Sequence, residues 1–371
     1  PHADAPRMLR SSVAVIALAA GYLALNLLRP ARPAPAAASA EDLARARAII
    51  DRSDHSLANA ALIGDKRLLF NDAADAFLMY RVAGRSWIAL GDPIGSHAGA
   101  EELAWRFREL ADRHGGHTVF YETGTERLAV YADLGLAPLE VGEEARVRLA
   151  DFSLEDPARA PLRQAHRRGE RDGLAFEIVP PERIDDLTAD LQRISDAWLD
   201  SKATREKRFC MGHFSPQYLR RFPLALVRAG GMPAAFANLW TTATRAELAV
   251  DLMRFGPAAP PESMDFLLTG LLGWGRDQGY GWLNLGMAPL AGLDRHPLAP
   301  AWHRVGNFVF RHGEHFYNFE GLRRYKARFD PHWEPQYLVA RGGIALPRVL
   351  VEISVLVAGG VKALSAAPDM T

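Results

Sequence analysis

The amino-acid sequence predicts a mixed α/β (α+β) fold whose plan occurs twice along 371 residues. Short apolar strands alternate with amphipathic helical stretches and Gly/Pro turns, the pattern of layered α/β units. The order strand, helix, strand recurs in each half, sharing plan rather than residues. Composition agrees: 49% hydrophobic and 24% charged residues exclude disordered, collagen-like and coiled-coil classes.

In chain order, the first feature is Ser11–Leu28, 18 residues without a charge, flanked by Arg7, Arg10, Arg29 and Arg32. As a helix it would span about 27 Å, close to one hydrocarbon core. A secretory signal peptide ending near Ala38-Ser39-Ala40 is the other reading. Pro1 in place of Met fits a fragment of a longer membrane protein. Arg29–Ala40 is rich in Pro and Ala, which predicts an extended, semi-rigid linker.

The first repeat opens with a strand at Ser86–Leu90 that ends in Gly91-Asp92-Pro93-Ile94-Gly95. A helical pattern over Ala100–His114, a strand at Thr118–Glu122 and a short helix at Thr125–Leu134 follow. The second runs from a strand, Glu247–Phe255, through the loop Gly256–Pro261 into a helix, Glu262–Gln278. Trp282–Leu285 is its next strand, with Gly286-Met287-Ala288-Pro289 as a turn and more helix from about Ala299. Ile344–Leu364 is apolar with Arg348, Glu352 and Lys362 spaced along it, a helix either for packing or for a membrane interface. These features divide the chain into residues 1–29, 30–42, 43–155, 156–343 and 344–371.

Lys plus Arg and Asp plus Glu balance at 44 each, so anionic partners must be met by local patches. Lys202, Arg205, Lys207, Arg208, Arg220, Arg221 and Arg228 face only Glu206 within one such stretch. Arg163, Arg167, Arg168 and Arg171 form a second, and Arg304–Arg328 holds a third. Either a solvated face or polyphosphate contact accounts for them, and three clusters in one half favour the latter. The single cysteine, Cys210, rules out an internal disulfide and a multi-cysteine metal cluster. No nucleophile elbow, Walker loop or dinucleotide fingerprint occurs. His312 and His315 lack a third ligand at a known spacing, so they read as ordinary loop histidines.

Asp251 and Arg254 stand inside the apolar run Ala249–Arg254, where charge is costly unless paired or used. Three positions apart on a regular strand they would face opposite sides, whereas a bulge would bring both to one face. A structural ion pair is the bland alternative. Gly313–Lys326 packs Glu314, His315, Tyr317, Asn318, Glu320, Tyr325 and Lys326 into one short run.

Several ordered blocks then carry a family resemblance. They include Ser195-Asp196-Ala197-Trp198-Leu199, Arg205-Glu206-Lys207-Arg208-Phe209, Met211-Gly212-His213-Phe214 and Asp251-Leu252-Met253-Arg254. Ala235–Trp240, Met264–Leu267, Asn284–Leu290, Tyr317–Leu322, Tyr325-Lys326 and Phe329-Asp330-Pro331 continue the series. In these blocks the chain resembles the C-terminal catalytic domain of bacterial aminoacyl-phosphatidylglycerol synthases, the multiple peptide resistance factors. Gly91-Asp92-Pro93 and Arg163–Gly173 extend the likeness into the first half.

The resemblance implies tandem GCN5-related N-acetyltransferase-like domains preceded by one transmembrane helix, the last span of a polytopic flippase region. It implies transfer of an alanyl or lysyl group from aminoacyl-tRNA to phosphatidylglycerol, without a cofactor or metal. The place would be the cytoplasmic face of the bacterial inner membrane, and the result resistance to cationic antimicrobial peptides. Partners would be aminoacyl-tRNA, phosphatidylglycerol, the bilayer and the flippase region.

Asp251 would hold the α-ammonium with Glu320 as a second carboxylate, and Arg254 and Lys326 would bind a phosphate or the oxyanion. His315, Tyr317 and Tyr325 are the proton-moving types present, and Glu206, Arg208, Asn238, Asp265 and Asn284 would touch substrate with Tyr325. Arg163, Arg167, Arg168, Arg171, Lys202, Arg205 and Lys207 would meet tRNA phosphates. Asp251, Arg254, Glu320 and Lys326 should line one cavity with two mouths. An acyl-CoA-dependent acyltransferase on the same fold is the rival; its pyrophosphate turn would fall at Arg228–Pro233, where Pro233 fits it poorly.

Overall fold

Ser39 opens the first helix through a capping box: Asp42 donates its N–H to Ser39 Oγ, and Ser39 N–H returns to the Asp42 carboxylate at 3.0 Å. The computed structural model describes residues 38–202, 205–289 and 319–360. The helix is α1 (Ala40–Ile50), followed by a 3₁₀ run over Ser56–Ile63. Strands β1 (Arg67–Phe70), β2 (Ala76–Ala83), β3 (Ser86–Leu90) and β4 (Ile94–Gly95) precede α2 (His97–Arg113), which Ser96 caps. Next come β5 (His117–Thr123), α3 (Leu128–Asp133), β6 (Ala137–Arg148), α4 (Ala160–Arg171) and β7 (Leu174–Val179).

The second half holds α5 (Thr188–Ser201), α6 (Pro216–Leu219), β8 (Leu224–Ala229), β9 (Met232–Thr241) and β10 (Glu247–Phe255). It continues with α7 (Ser263–Asp277), β11 (Trp282–Pro289), α8 (Phe319–Ala327), β12 (His332–Ala340) and α9 (Leu346–Val357). The strands form one sheet in the order β1-β2-β3-β5-β12-β6-β11-β10-β9-β8-β7, with β4 beside β2.

The duplicated plan is visible in the pairing. β3 and β5 are parallel across α2, and β10 and β11 are parallel across α7; the other pairs are antiparallel. A parallel pair needs a crossover, and a helix supplies it each time. β12 hydrogen-bonds β5 on one side and β6 on the other, so the two halves interleave in one continuous ladder.

Three clusters of buried side chains fill the layers. One, around Leu78, Trp87, Phe107 and Tyr131, lies under α2. Another, around Val147, Phe266, Leu271 and Leu283, lies under α7. The largest runs across both halves, joining Ile50, Leu62 and Met79 to Ile194, Phe209, Tyr218 and Phe236. Leu346, Val349, Leu350, Ile353 and Leu356 of α9 are part of it, so this face of the C-terminal helix packs on the protein.

One expectation is overturned. Gly286–Pro289 is not a turn but the continuation of β11, because a bulge at Gly286 (φ +79°) absorbs the glycine inside the strand. Among the described residues no helix is long and apolar enough to cross a membrane; Ser11–Leu28 lies outside them, as does the helix expected from Ala299.

Candidate functional site

β10 carries one residue more than its partner β9. Val250 pairs with Leu239 and Met253 with Ala237, so three steps on one strand match two on the other. This bulge sets Leu252 in the same cluster as Ala249, and Val250 and Met253 in the opposite one. Asp251 and Arg254 consequently both emerge beneath the loop of residues 205–215.

Asp251 accepts three donors: Gly212 N–H at 2.8 Å, the Tyr218 hydroxyl at 2.5 Å and Asn238 Nδ2 at 3.4 Å. Trp240 Nε1 in turn donates to the Tyr218 oxygen at 2.8 Å. Burial pushes the Asp251 carboxyl up from its ordinary value, and those donors oppose the shift. Arg254 is buried with its guanidinium 4.1 Å over the Trp198 ring, and Nη2 donates to Glu206 Oε2 at 3.0 Å. Glu206 Oε1 accepts from Phe214 N–H at 3.2 Å. Both strand charges thereby hold the same loop, and the carboxylate facing Arg254 is Glu206 rather than Asp251.

The second bulge prepares the seat of Lys326. In β11 the register to β6 slips between Asn284 and Met287, and Asn284 Oδ1 accepts Gly286 N–H at 2.7 Å. The carbonyls of Gly286 and Met287 thus turn out of the ladder, and Lys326 Nζ donates to both at 2.9 Å. Lys326 is 5% exposed. Burial pushes its amine down to about 7, although the Glu144 and Glu122 charges favour the ammonium form.

These two glutamates complete the centre. Glu144 on β6 is pushed up to about 7, first by burial and then by Glu247, while an Asn284 hydrogen bond opposes it. Glu122, on β5 with a left-handed backbone (φ +61°), is pushed up to about 8 by burial and by Glu144. Cys210 hydrogen-bonds Glu122 and lies within electrostatic reach of Lys66 and Lys207; burial pushes its thiol up. Lys66, fully buried, donates from Nζ to Asp65 Oδ1 at 2.8 Å and to the Ala60 carbonyl at 3.1 Å, and its charge reaches Asp251. A chain of interacting groups therefore links Lys326 to Asp251 through the seam between the halves.

Of the residues expected from sequence, Asp251, Arg254, Glu206, Asn238, Asn284 and Lys326 are brought to this region. Glu320 is not: it is exposed on the first turn of α8. Six helical steps at about 100° each set it far round the axis from Lys326, and the half-buried carboxylates whose charge reaches that amine are Glu144 and Glu122. Asp265 and Tyr325 belong to another cluster, where Arg328 grips Asp265 through both nitrogens at 2.7 and 3.1 Å. Arg208 donates its N–H to the Val357 carbonyl at 3.0 Å, at the end of α9. His315 and Tyr317 lie outside the described residues.

The basic clusters divide in the same way. Arg167, Arg168 and Arg171 are exposed on α4 and, with Gln164 and Glu170, line an open recess of about 630 Å³. Arg163 instead turns to the Leu154 and Asp156 carbonyls at 2.6 and 3.2 Å. Lys202 and Arg205 are exposed. Lys207 points inward, its amine pushed down to about 8 by burial, against the influence of Cys210.

Glu122, Glu144, Lys66, Cys210 and Tyr218 were missed as site residues. Glu122 carried the signal already used for Asp251, a carboxylate in the apolar run Thr118–Glu122.

Residues 47–340 match the family model described as phosphatidylglycerol lysyltransferase, C-terminal. The phosphatidylglycerol lysyltransferase of Staphylococcus haemolyticus is 33% identical over 303 residues, 81% of this chain and 36% of that protein. The enzyme of that name from Bacillus subtilis is 32% identical over 330 residues, 89% and 38% of the two chains. The chain thus spans just over a third of the length of the curated relatives it matches.

Among solved structures, the C-terminal domain of an Agrobacterium fabrum protein described as a lysylphosphatidylglycerol synthetase is 43% identical with a TM-score of 0.80. The likeness covers 87% of this chain and 99% of that one. The structure titled L-PGS from Bacillus licheniformis is 30% identical with a TM-score of 0.78, covering 85% and 96%. FemX, 7% identical with a TM-score of 0.54 over 84% and 98%, shares the fold alone. On the match over residues 47–340 and relatives of this identity, the chain belongs to the phosphatidylglycerol lysyltransferase C-terminal family.

Proposed function

We propose that the chain transfers an aminoacyl group from aminoacyl-tRNA to the glycerol hydroxyl of phosphatidylglycerol, with lysyl as the group transferred. The observation that carries this reading is the centre joining buried Lys326 to half-buried Glu144, Glu122 and, through Lys66, Asp251, in a chain whose relatives are named phosphatidylglycerol lysyltransferase. The work would be done at the cytoplasmic face of the bacterial inner membrane, with an N-terminal flippase region in the same protein. A cationic product would reduce the negative charge of the leaflet and so weaken the attraction of cationic peptides.

The chemistry exchanges one ester for another. The glycerol oxygen attacks the aminoacyl carbonyl carbon, a tetrahedral oxyanion forms, and the bond to the ribose oxygen breaks. With an ester on each side, little driving force is needed, and the protein's part is positioning and charge stabilisation. Asp251 has three of roughly four acceptor sites engaged and offers the remaining one to the aminoacyl ammonium. Arg254, through Glu206, keeps the loop closed over the reacting group. The exposed arginines of α4 supply charge for tRNA phosphates.

The acyl-CoA alternative loses its phosphate turn. Gly230 and Gly231, at φ +55° and +82°, are the tip of the β8–β9 hairpin, with no helix start to receive a pyrophosphate.

Thin-layer separation of lipids from cells expressing the chain, with labelled lysine and labelled alanine supplied in turn, tests the proposal. Label from lysine should move with a phosphatidylglycerol derivative. Label in no such lipid would sink the reading, and label from alanine alone would change the group transferred.

A further inference from the structure

We propose that Lys326 Nζ is the proton carrier of the transfer, taking the proton of the attacking glycerol hydroxyl and handing it to the departing ribose oxygen. The inference rests on the reading above and adds the group that moves the proton.

The geometry is that of a held amine. A primary amine has two N–H bonds, and Lys326 has two carbonyl acceptors at 2.9 Å, those of Gly286 and Met287. With both N–H groups engaged on one side, the remaining tetrahedral direction of Nζ points away from β11 and carries the lone pair. The bulge that frees those carbonyls is itself held by Asn284 on Gly286 N–H at 2.7 Å, so Asn284 acts as a positioning residue.

Surroundings favour an amine that gains and loses a proton over a fixed cation. Lys326 is buried and, among the described residues, makes no ion pair with a carboxylate. A permanently charged group there would cost far more than one able to shed its proton. The charges that reach it are Glu144 from β6 and Glu122 from β5. Its own helix directs Arg323 to Glu143, and Arg328 just beyond turns to Asp265. Burial brings the amine to about 7, close to the operating range where a base is most effective. A clamp for the oxyanion alone would be better served by arginine, which holds its charge.

The step balances within the two substrates. As the glycerol oxygen bonds to the carbonyl carbon, its proton passes to Nζ, and the ammonium so formed lies next to the oxyanion. When the carbonyl reforms, the bond to the ribose oxygen breaks and Nζ returns the proton to that oxygen. No further reactant is required.

The test uses the full 371-residue chain with aminoacyl-tRNA and phosphatidylglycerol vesicles. Wild-type kcat/KM should fall with unit slope as pH drops through about 7, the value of the buried amine. Lys326→Arg, with its thermal unfolding checked, should lose about 10²–10⁴-fold in turnover, because a guanidinium cannot accept the proton. Lys326→Ala should be rescued by added primary amines, faster for more basic ones, and not by guanidinium. Near-wild-type turnover in folded Lys326→Arg, equal rescue by guanidinium, or no acid limb overturns the proton role while leaving the transferase reading standing. No transfer by the wild type overturns both.

Discussion

The backbone N–H of Gly212 points at Asp251 Oδ1 from 2.8 Å, so the loop of residues 205–215 is fastened to the bulge of β10 at its centre. A Cβ at Gly212 would sit 2.2 Å from Asp251 Oδ2 and 2.4 Å from a Tyr218 ring carbon. Both neighbours are held by other bonds, Asp251 by the Tyr218 hydroxyl and Asn238, and the Tyr218 oxygen by Trp240. Gly212→Ala should therefore displace the loop, lowering stability by about 1–3 kcal/mol, the usual cost of overpacking. Turnover should fall at least about tenfold with it, in the range a small misplacement costs. Unfolding curves and initial rates on the same preparation decide this; wild-type values for both would show that the loop is not fastened here.

Arg254 and Glu206 should depend on each other. Removing the arginine leaves a half-buried carboxylate with the Phe214 N–H, and removing the glutamate leaves a buried guanidinium over Trp198. Breaking one side of a buried pair costs about 3–5 kcal/mol, and Glu206, 21% exposed at its side chain, places this one toward the low end. In a double-mutant cycle of Arg254→Ala and Glu206→Ala the two losses should overlap by about 0.5–3 kcal/mol. Strictly additive losses would mean the pair is incidental.

Glu122 should make the fold less stable as the medium becomes more basic. Its carboxyl stands at about 8 in the folded protein against an ordinary 4.5, so between those values the native state holds a proton that the unfolded chain has released. That contribution is complete below about pH 4.5 and is lost as pH climbs through about 8. Lys326 acts oppositely above about 7, where the native amine is neutral and the unfolded one is still charged. The clean readout is the difference between Glu122→Gln and wild type: the variant should gain on wild type between pH 5 and 8, by a few kcal/mol at most. Parallel curves of urea midpoint against pH would refute the shift.

Arg167 and Arg171 should matter to the nucleic-acid partner alone. Both are exposed on α4 beside the same open recess. Changing either to alanine should weaken aminoacyl-tRNA binding and reduce the slope of log K against log salt by about 1 each, with little change in unfolding temperature. Arg163, whose guanidinium is spent on the Leu154 and Asp156 carbonyls, should lower stability instead. Filter-binding titrations between about 50 and 200 mM salt separate these outcomes.

Period and composition by themselves determined the alternation of strands and helices and the recurrence of one plan. Those are local properties, and the strands at Ser86–Leu90 and Glu247–Phe255 have the boundaries their apolar runs imply. The charges of Asp251 and Arg254 were also legible, because a carboxylate and a guanidinium in an apolar strand need an explanation wherever they fold. Only the tertiary structure decided which groups answer them. The bulge at residues 250–253 is a matter of register with β9, and Glu206 reaches Arg254 only once the loop folds back across 48 positions. Gly286 read as a turn because glycine after an apolar run ends strands more often than it kinks them, and the β6 ladder and Lys326 reverse that local preference. Glu122 stands out locally as a carboxylate ending an apolar run, while Glu144 is an ordinary strand glutamate in the sequence; the high proton affinity of both arises from desolvation between halves that β12 and β6 interleave, a long-range consequence that no window of the chain contains.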